Sequence, residues 1–139
     1  QDEKEHIALY QTSKAYCAKS LGLDFEKVSF FNYEFLTPIT HIADQKTYFD
    51  TIVAQVAGVV AYDLFYKMRY ANISDDIRIV RKWIEQYQNE FDLENREEYH
   101  TLILKVMQSA EALLESKKEK IIALQKKLLE DEVLTKDDI

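Results

Sequence analysis

One helix organises this chain, and its sequence is Ile7-Ala8-Leu9-Tyr10-Gln11-Thr12-Ser13-Lys14-Ala15-Tyr16-Cys17-Ala18. Apolar residues occupy most of these positions, so they cover most of the surface of a helix with 3.6 residues per turn. A helix that is apolar on nearly every side is usually buried in the protein interior. Gly22 follows four residues after Ala18, and glycine commonly ends helices. We therefore predict a buried helix from Ile7 to Gly22.

The composition favours a mainly helical fold. The chain has 139 residues, of which only two are Gly and one is Pro. This length suits a single domain that can bury a hydrophobic core. We therefore predict one domain over residues 1–139, mainly α, with a small strand region near residues 28–35.

The strand prediction comes from the stretch Lys27 to Phe35. It is rich in β-branched and aromatic residues and partly alternates between apolar and polar ones. This pattern indicates a strand. Pro38 then ends the strand or restricts it to an edge, because proline has no backbone N–H. A loop is expected from Thr37 to Gln45.

More helices are expected downstream. The second runs from about Thr47 to Met68 and carries small residues in its middle, which let another helix pack closely. These small residues are Ala54, Ala57, Gly58 and Ala61. Ser74 is a predicted N-cap, Asn95 and Ser116 are predicted to begin capping boxes, and Thr135 to Asp138 is predicted to start a further helix.

The charge narrows the range of partners. The net charge is −7 and the pI is about 5.0, which argues against binding nucleic acid or an anionic membrane surface. The single Cys17 excludes an internal disulfide framework and fits a reducing compartment. We identify no signal peptide and no apolar run near the roughly 20 residues of a membrane span.

The first helix also has the outline of a metalloprotease active-site helix. In a zincin, two His separated by three residues share a zinc ion, and a Glu directly after the first His is the general base. Here the corresponding places hold Tyr10, Gln11 and Lys14. Any helix has residues at this spacing, so the likeness to a zincin depends on further motifs in the rest of the chain.

Several motifs occur in order after this helix. Lys27-Val28-Ser29 comes after the first helix, Ala57-Gly58-Val59-Val60-Ala61-Tyr62-Asp63-Leu64 lies in the second, and Ser74-Asp75-Asp76-Ile77 opens the third. The last motif is Leu128-Leu129-Glu130-Asp131-Glu132-Val133-Leu134-Thr135-Lys136-Asp137-Asp138-Ile139. Together, and over essentially the whole chain, they resemble the C-terminal peptidase domain of FtsH-type AAA proteases, which are membrane-anchored zinc metalloproteases.

The resemblance implies a degraded zinc site. It places Tyr10 and Lys14 at the two His ligands, Gln11 at the general base and Asp76 at the third ligand. Neutral tyrosine is a poor ligand, the lysine ammonium has no lone pair, and glutamine cannot act as a base. We therefore expect no metal ligands, no catalytic residue and no cofactor in this domain, although active relatives hold zinc. The histidines are isolated in the sequence at positions 6, 41 and 100.

The function that this resemblance implies is that of a pseudopeptidase. Such a domain serves ring assembly and the handling of substrates or partners in ATP-dependent protein quality control. Two alternatives are an active zinc metallopeptidase domain with an atypical site and an unrelated helical protein-interaction module. The carboxylates Asp75 and Asp76 also have a simpler explanation, because acidic residues stabilise the start of a helix.

The resemblance also implies a longer chain, with an AAA ATPase domain that binds ATP and a membrane anchor upstream of Gln1. Family members form hexamers, here of one or of mixed FtsH-like subunits, and act on protein substrates. The expected location is the cytoplasmic face of the bacterial inner membrane, or else a plastid or mitochondrial inner membrane. The membrane is contacted only through a segment outside this sequence.

The last expectation concerns the charge of the vacated site. Without zinc, a buried Asp76 carboxylate needs compensation, because an unpaired buried charge costs several kcal/mol. Lys14 lies one helical turn after Tyr10, on the same face. We consider an ion pair between Lys14 and Asp76, with a further hydrogen bond from Tyr10. The alternative is that Lys14 extends into solvent and Asp76 only caps its helix.

Overall fold

Five α-helices and a two-stranded sheet make up the computed structural model, which describes residues 3–30, 32, 34–66, 73–91 and 96–139; the side chains of residues 73–76 and 96–97 are not described. The prediction of a mainly α fold is confirmed. The helices are α1 (Glu3–Ser20), α2 (Gln45–Tyr66), α3 (Ile73–Glu90), α4 (Arg96–Leu114) and α5 (Lys118–Asp131). The strands are β1 (Lys27–Ser29) and β2 (Val133–Thr135), and short 3-10 turns cover Ile39–His41 and Lys136–Asp138.

Helix α1 lies between two hydrophobic clusters. One cluster contains its residues Leu9 and Cys17 together with apolar side chains of α2, α3 and α4. The other contains its residues Ala8 and Ala15 with side chains of β1, β2 and α5. Because both clusters use α1, the helix is buried over most of its length, as its sequence predicts.

Helix α1 ends where glycine permits a left-handed turn. The predicted helix from Ile7 to Gly22 is observed from Glu3 to Ser20, and Gly22 adopts a φ of +74°. The Gly22 N–H donates to the carbonyl of Lys19 at 3.1 Å, and the Leu23 N–H donates to that of Ala18 at 2.9 Å. This pair of hydrogen bonds is the Schellman motif, which satisfies carbonyls at the end of a helix.

The two strands pair antiparallel over three residues each. Val28 lies opposite Leu134 in the centre of this sheet, and both side chains are fully buried. The predicted strand is confirmed near residue 28 but ends at Ser29, and residues 31 and 33 lie outside the description. The Ser29 hydroxyl accepts a hydrogen bond from the Asn32 N–H at 3.2 Å, which turns the chain away from the sheet.

The small residues of α2 pack closely against α1, as predicted. Ala54, Ala57 and Ala61 are fully buried. A Cβ atom added at Gly58 would lie 3.0 Å from Cγ and 3.1 Å from Cα of Tyr10. The two helices therefore cross so closely that a larger residue at this position would require Tyr10 to shift.

Helix α2 is unusually apolar for its length. Among the described helices it is the one whose length and apolar composition would allow it to cross a membrane, although the sequence alone predicts no such span. Within the fold, however, 83% of its most apolar 18-residue window is buried. Packing in the core therefore accounts for its apolar character. Its predicted end at Met68 lies outside the described residues.

The predicted helix starts have mixed outcomes. Ser74 lies in the first turn of α3, and its side chain is outside the described part of the chain, so its role as N-cap stays a prediction. The N-cap of α5 is Lys117 without a side-chain hydrogen bond, so the capping box predicted at Ser116 is wrong. A tight turn after α4 places Lys117 rather than Ser116 at this boundary, with its N–H donating to the carbonyl of Leu114 at 2.9 Å. Asn95 lies outside the described residues.

The helix start predicted at Thr135 is observed as a 3-10 turn, Lys136–Asp138, with a capping box at Thr135. The Asp138 carboxylate accepts a hydrogen bond from the Thr135 N–H at 2.8 Å, and the Thr135 hydroxyl accepts one from the Asp138 N–H. These hydrogen bonds hold the pKa of the Asp138 carboxyl below its usual range, with a smaller contribution from Lys127. The box closes one 3-10 turn directly after β2.

We predict that Gly58→Ala destabilises the protein. Alanine normally stabilises a helix interior relative to glycine by about 1 kcal/mol, but here the new methyl group overlaps the backbone of Tyr10. We expect the free energy of unfolding to fall by about 1–2 kcal/mol, measured by urea denaturation.

The exposed Ala123 on α5 offers a control for the intrinsic preference of a helix for alanine over glycine. Ala123→Gly should destabilise the protein by about 1 kcal/mol, which shows alanine as the preferred residue where no neighbour interferes. A Gly58→Ala variant as stable as the original chain would contradict the close packing of α1 on α2.

Candidate functional site

The three residues at the predicted zinc-site positions of α1 are all inside the protein. Tyr10 is 8% exposed, Gln11 is 1% exposed and Lys14 is 3% exposed. They are buried because α1 is covered by α2 on one side and by β1 and α5 on another. A buried polar side chain needs partners, so the contacts of these residues indicate what the site does.

Gln11 holds the end of β1. Its Nε2 atom donates one hydrogen bond to the carbonyl of Ser29 at 2.8 Å and another to the carbonyl of Asn32 at 2.9 Å. The two amide hydrogens of the side chain are therefore both used on backbone acceptors. A glutamate here would present oxygen lone pairs to the same two carbonyl oxygens. At the predicted general-base position, Gln11 therefore supports the backbone at the end of β1.

Tyr10 is a packing residue. Its ring covers Gly58 and meets the ring of Tyr62 edge-on, with the centroids 5.9 Å apart and the planes at 89°. The ring of His6 also lies beside Tyr62, with the two centroids 5.0 Å apart. Burial raises the pKa of the Tyr62 hydroxyl, with a further contribution from Tyr66. The aromatic group that surrounds Tyr10 contributes apolar contacts on which the α1–α2 packing depends.

Lys14 is buried against an aromatic ring. Its Nζ atom lies 5.8 Å from the centroid of the Phe35 ring, within the range of a cation–π interaction. The alternative in which Lys14 extends into solvent is therefore wrong. Asp76 belongs to α3, but its side chain lies outside the described part of the chain. The ion pair between Lys14 and Asp76 stays a prediction, which the distance from Nζ to the carboxylate decides.

Metal-ligating residues do not converge within the described ranges. No group of three or more His, Cys, Asp or Glu in this part of the chain is arranged to hold a metal ion. His6 is half-buried beside Tyr62, His41 is exposed at the end of the 3-10 turn Ile39–His41, and His100 is exposed beside Tyr99.

Two buried residues of α1 that could act as nucleophiles, Ser13 and Cys17, are not activated. Burial raises the pKa of the Cys17 thiol to about 12, so the sulfur is protonated near neutral pH. The buried Ser13 hydroxyl has no hydrogen-bond partner among the residues described, and so no general base is in place beside it there. Neither residue provides the constellation that nucleophilic catalysis requires.

Other polar contacts that the sequence does not reveal join the two ends of the chain. The Gln125 side chain donates to the carbonyl of Glu5 at 2.7 Å and attaches α5 to α1. The Lys136 ammonium donates to the carbonyl of Leu23 at 3.0 Å, and the Lys19 ammonium donates to the carbonyl of Lys136 at 3.0 Å. The only hint in the sequence is that polar residues at buried positions need partners.

No protein-family model matches the sequence, and no curated protein is similar enough to count as a relative. The resemblance to the FtsH peptidase domain therefore depends on the motifs and their order alone.

We predict that Gln11→Glu strongly destabilises the protein. At pH 7 the variant loses two hydrogen bonds and places a carboxylate against the carbonyl oxygens of Ser29 and Asn32. Uncompensated buried charges cost about 3–5 kcal/mol, and we expect the free energy of unfolding to fall by that amount.

The pH dependence of the stability of Gln11→Glu shows whether the buried carboxylate causes the loss of stability. Burial raises the pKa of the new carboxyl in the folded state above the unfolded value of about 4.3. The folded variant then binds more protons than the unfolded one between these two pKa values, so its stability falls as pH rises through this window. The deficit relative to the original chain should be smallest below about pH 4. Gln108→Glu on the exposed face of α4 serves as the control and should change stability little. A deficit that does not vary with pH would contradict this explanation.

Proposed function

We propose that this chain is a non-catalytic FtsH-like peptidase domain, a pseudopeptidase of a membrane-anchored AAA protein. In this proposal the domain serves ring assembly and the handling of substrates or partners in ATP-dependent protein quality control. The observation that carries the proposal is the Gln11 side chain, whose two amide hydrogens bond the carbonyls of Ser29 and Asn32. The residue at the general-base position supports the fold instead of a water molecule.

The chemistry of the neighbouring positions supports a non-catalytic domain. A zincin needs two neutral imidazoles one helical turn apart and a carboxylate that accepts a proton from the zinc-bound water. In this chain the first imidazole position is filled by a tyrosine packed on glycine, and the second by a lysine whose ammonium lies over Phe35. Restoring the chemistry would require changes at all three positions and a rearrangement of the contacts around them.

The order of the elements supports the family part of the proposal. A buried helix is followed by a short strand, then by a helix with a glycine at its crossing point, and the last motif forms β2. Pairing of β1 with β2 joins the segment after α1 to the final motif of the sequence. This pairing gives a structural reason for these two widely separated motifs to occur together.

The partners come from the same proposal. They are an AAA ATPase domain of the same chain, which would bind ATP, other FtsH-like subunits in a homo- or hetero-hexamer, and protein substrates. The proposed location is the cytoplasmic face of a bacterial inner membrane, with a plastid or mitochondrial inner membrane as the alternative. A domain without its own chemistry fits such an assembly, because it can contribute surfaces to a ring while neighbouring subunits cleave the substrate.

We predict that the purified chain retains no stoichiometric zinc and does not hydrolyse casein. The chain is dialysed against a zinc-containing buffer and then against a zinc-free one, and its metal content is measured by mass spectrometry. An active FtsH-type protease prepared in the same way is the positive control. Close to one zinc per chain, with loss of folding or activity on chelation, would overturn the proposal. The combined variant Tyr10→His, Gln11→Glu and Lys14→His should regain zinc only weakly, because Gln11→Glu also removes the support of β1.

We predict that the coding region upstream of Gln1 encodes an AAA ATPase. The expected signs are a Walker A motif, whose glycine-rich backbone and lysine bind nucleotide phosphates, and one or two transmembrane segments before it. Sequencing the complete gene checks this directly. A complete gene that lacks a nucleotide-binding domain would overturn the family part of the proposal. The chain would then be a helical module that is not part of an AAA ATPase.

A further inference from the structure

A wide groove is lined by residues of three helices, α2, α3 and α4. It runs between the first turns of α2, the end of α3 and the middle of α4, and its volume is about 700 Å³. This volume is within the range of about 300–1,000 Å³ found for small-molecule sites. The groove is lined by Gln45, Lys46, Phe49, Tyr87, Leu102, Lys105, Gln108, Ser109 and Ala112.

The floor of the groove is aromatic and aliphatic. The ring centroids of Phe49 and Tyr87 lie 6.0 Å apart, and the ring centroid of Phe91 lies 5.2 Å from that of Tyr87. Leu102 completes the floor from α4 and is mostly buried. The floor is held in place by these contacts, so it offers a preformed apolar surface to a flat or branched hydrocarbon group.

The rim of the groove is rich in hydrogen-bond donors and positively charged. Two lysines, Lys46 and Lys105, are among the described lining residues, whereas none of these residues is Asp or Glu. The rim thus differs from the chain as a whole, which has 25 acidic and 18 basic residues. The Tyr87 hydroxyl accepts a hydrogen bond from Nε2 of Gln45 at 3.0 Å and keeps its own hydrogen for donation.

The two lysines differ in their surroundings. The Lys46 ammonium forms an ion pair with Asp50 at 2.7 Å, so its charge is largely compensated. Lys105 forms no ion pair with any described residue and is exposed at the rim. Its charge is therefore available to a ligand, as are the hydrogens of the Tyr87 and Ser109 hydroxyls.

We propose that this groove binds a small organic anion, in which a carboxylate or sulfonate contacts Lys105 and an apolar or aromatic body covers Phe49 and Leu102. The apolar floor supplies most of the contact area, and the cation at the rim selects an anion over its neutral analogue. This inference is independent of the peptidase-like assignment, because it uses a different face and different residues.

The test uses 3-(indol-3-yl)propionate as the probe and its primary amide as the neutral control. Each compound is titrated into the ¹⁵N-labelled full chain, and amide shifts are measured by NMR. We expect the acid to shift residues around Phe49, Tyr87 and Leu102 with a saturable curve. The amide should bind about tenfold more weakly, as expected for loss of one charged hydrogen bond.

Substitutions at the two rim lysines sharpen the test. Lys105→Gln should raise the dissociation constant of the acid about tenfold and leave that of the amide unchanged. Lys46→Gln should raise it by no more than about threefold, because its charge is already paired. Lys126→Gln removes the same charge from an exposed position on α5, outside the groove, and should have no effect. The melting temperature of each variant confirms that the fold is intact.

Several results would overturn the proposal. One is shift changes that lie outside the groove, and another is equal binding of the acid and the amide. A third is equal weakening by Lys105→Gln and Lys126→Gln, which would indicate nonspecific attraction to positive charge. Binding of an acidic peptide with no binding of the small acid would assign the groove to a protein partner and would also overturn it.

Discussion

The contact on which much of the fold depends is the double hydrogen bond from the Gln11 side chain to the carbonyls of Ser29 and Asn32. The sheet has only three residues in each strand, so its own hydrogen bonds are too few to fix where β1 ends. Gln11 supplies donors to the carbonyls at that end from inside a buried helix. The pairing of β1 with β2 in turn brings the last turn of the chain onto α1, where Lys19 and Lys136 bond backbone carbonyls.

In the proposed function, this arrangement connects stability with the loss of the general base. A general base needs a free carboxylate that faces a water molecule, whereas the support of β1 needs two amide hydrogens that face carbonyl oxygens. One side chain cannot satisfy both requirements. In the proposed function, the loss of the base and the gain of this support are therefore two consequences of the same residue. The packing of Tyr10 on Gly58 is a parallel case within the same proposal, because the residue at a predicted metal-ligand position is used for helix contact.

The polar and charged side chains of the buried helix α1 and those of the groove have different surroundings. The chain is acidic overall, with a net charge of −7, and the buried side chains of Gln11 and Lys14 on α1 are engaged in internal contacts. At the groove between α2, α3 and α4 the described lining residues include two lysines and no Asp or Glu, and only Lys46 is paired with an acidic residue, Asp50. The polar side chains of α1 are already used in internal contacts, whereas the groove has hydrogen-bond donors at an open rim. The proposed binding of a small anion is therefore assigned to the groove.

The sequence by itself determined those features that depend on neighbouring residues. The apolar coverage of residues 7–18 predicted a buried helix, Gly22 predicted its end, and the pattern from Thr135 to Asp138 predicted the start of the final turn. Each is local, because helix hydrogen bonds and caps join residues a few positions apart. The length of β1 was decided by tertiary structure, since a strand extends only as far as a partner strand lies beside it. The role of Gln11 was decided in the same way, because its acceptors lie 18 and 21 residues away. The groove also required three helices to come together, and no local pattern in the sequence encodes their separation.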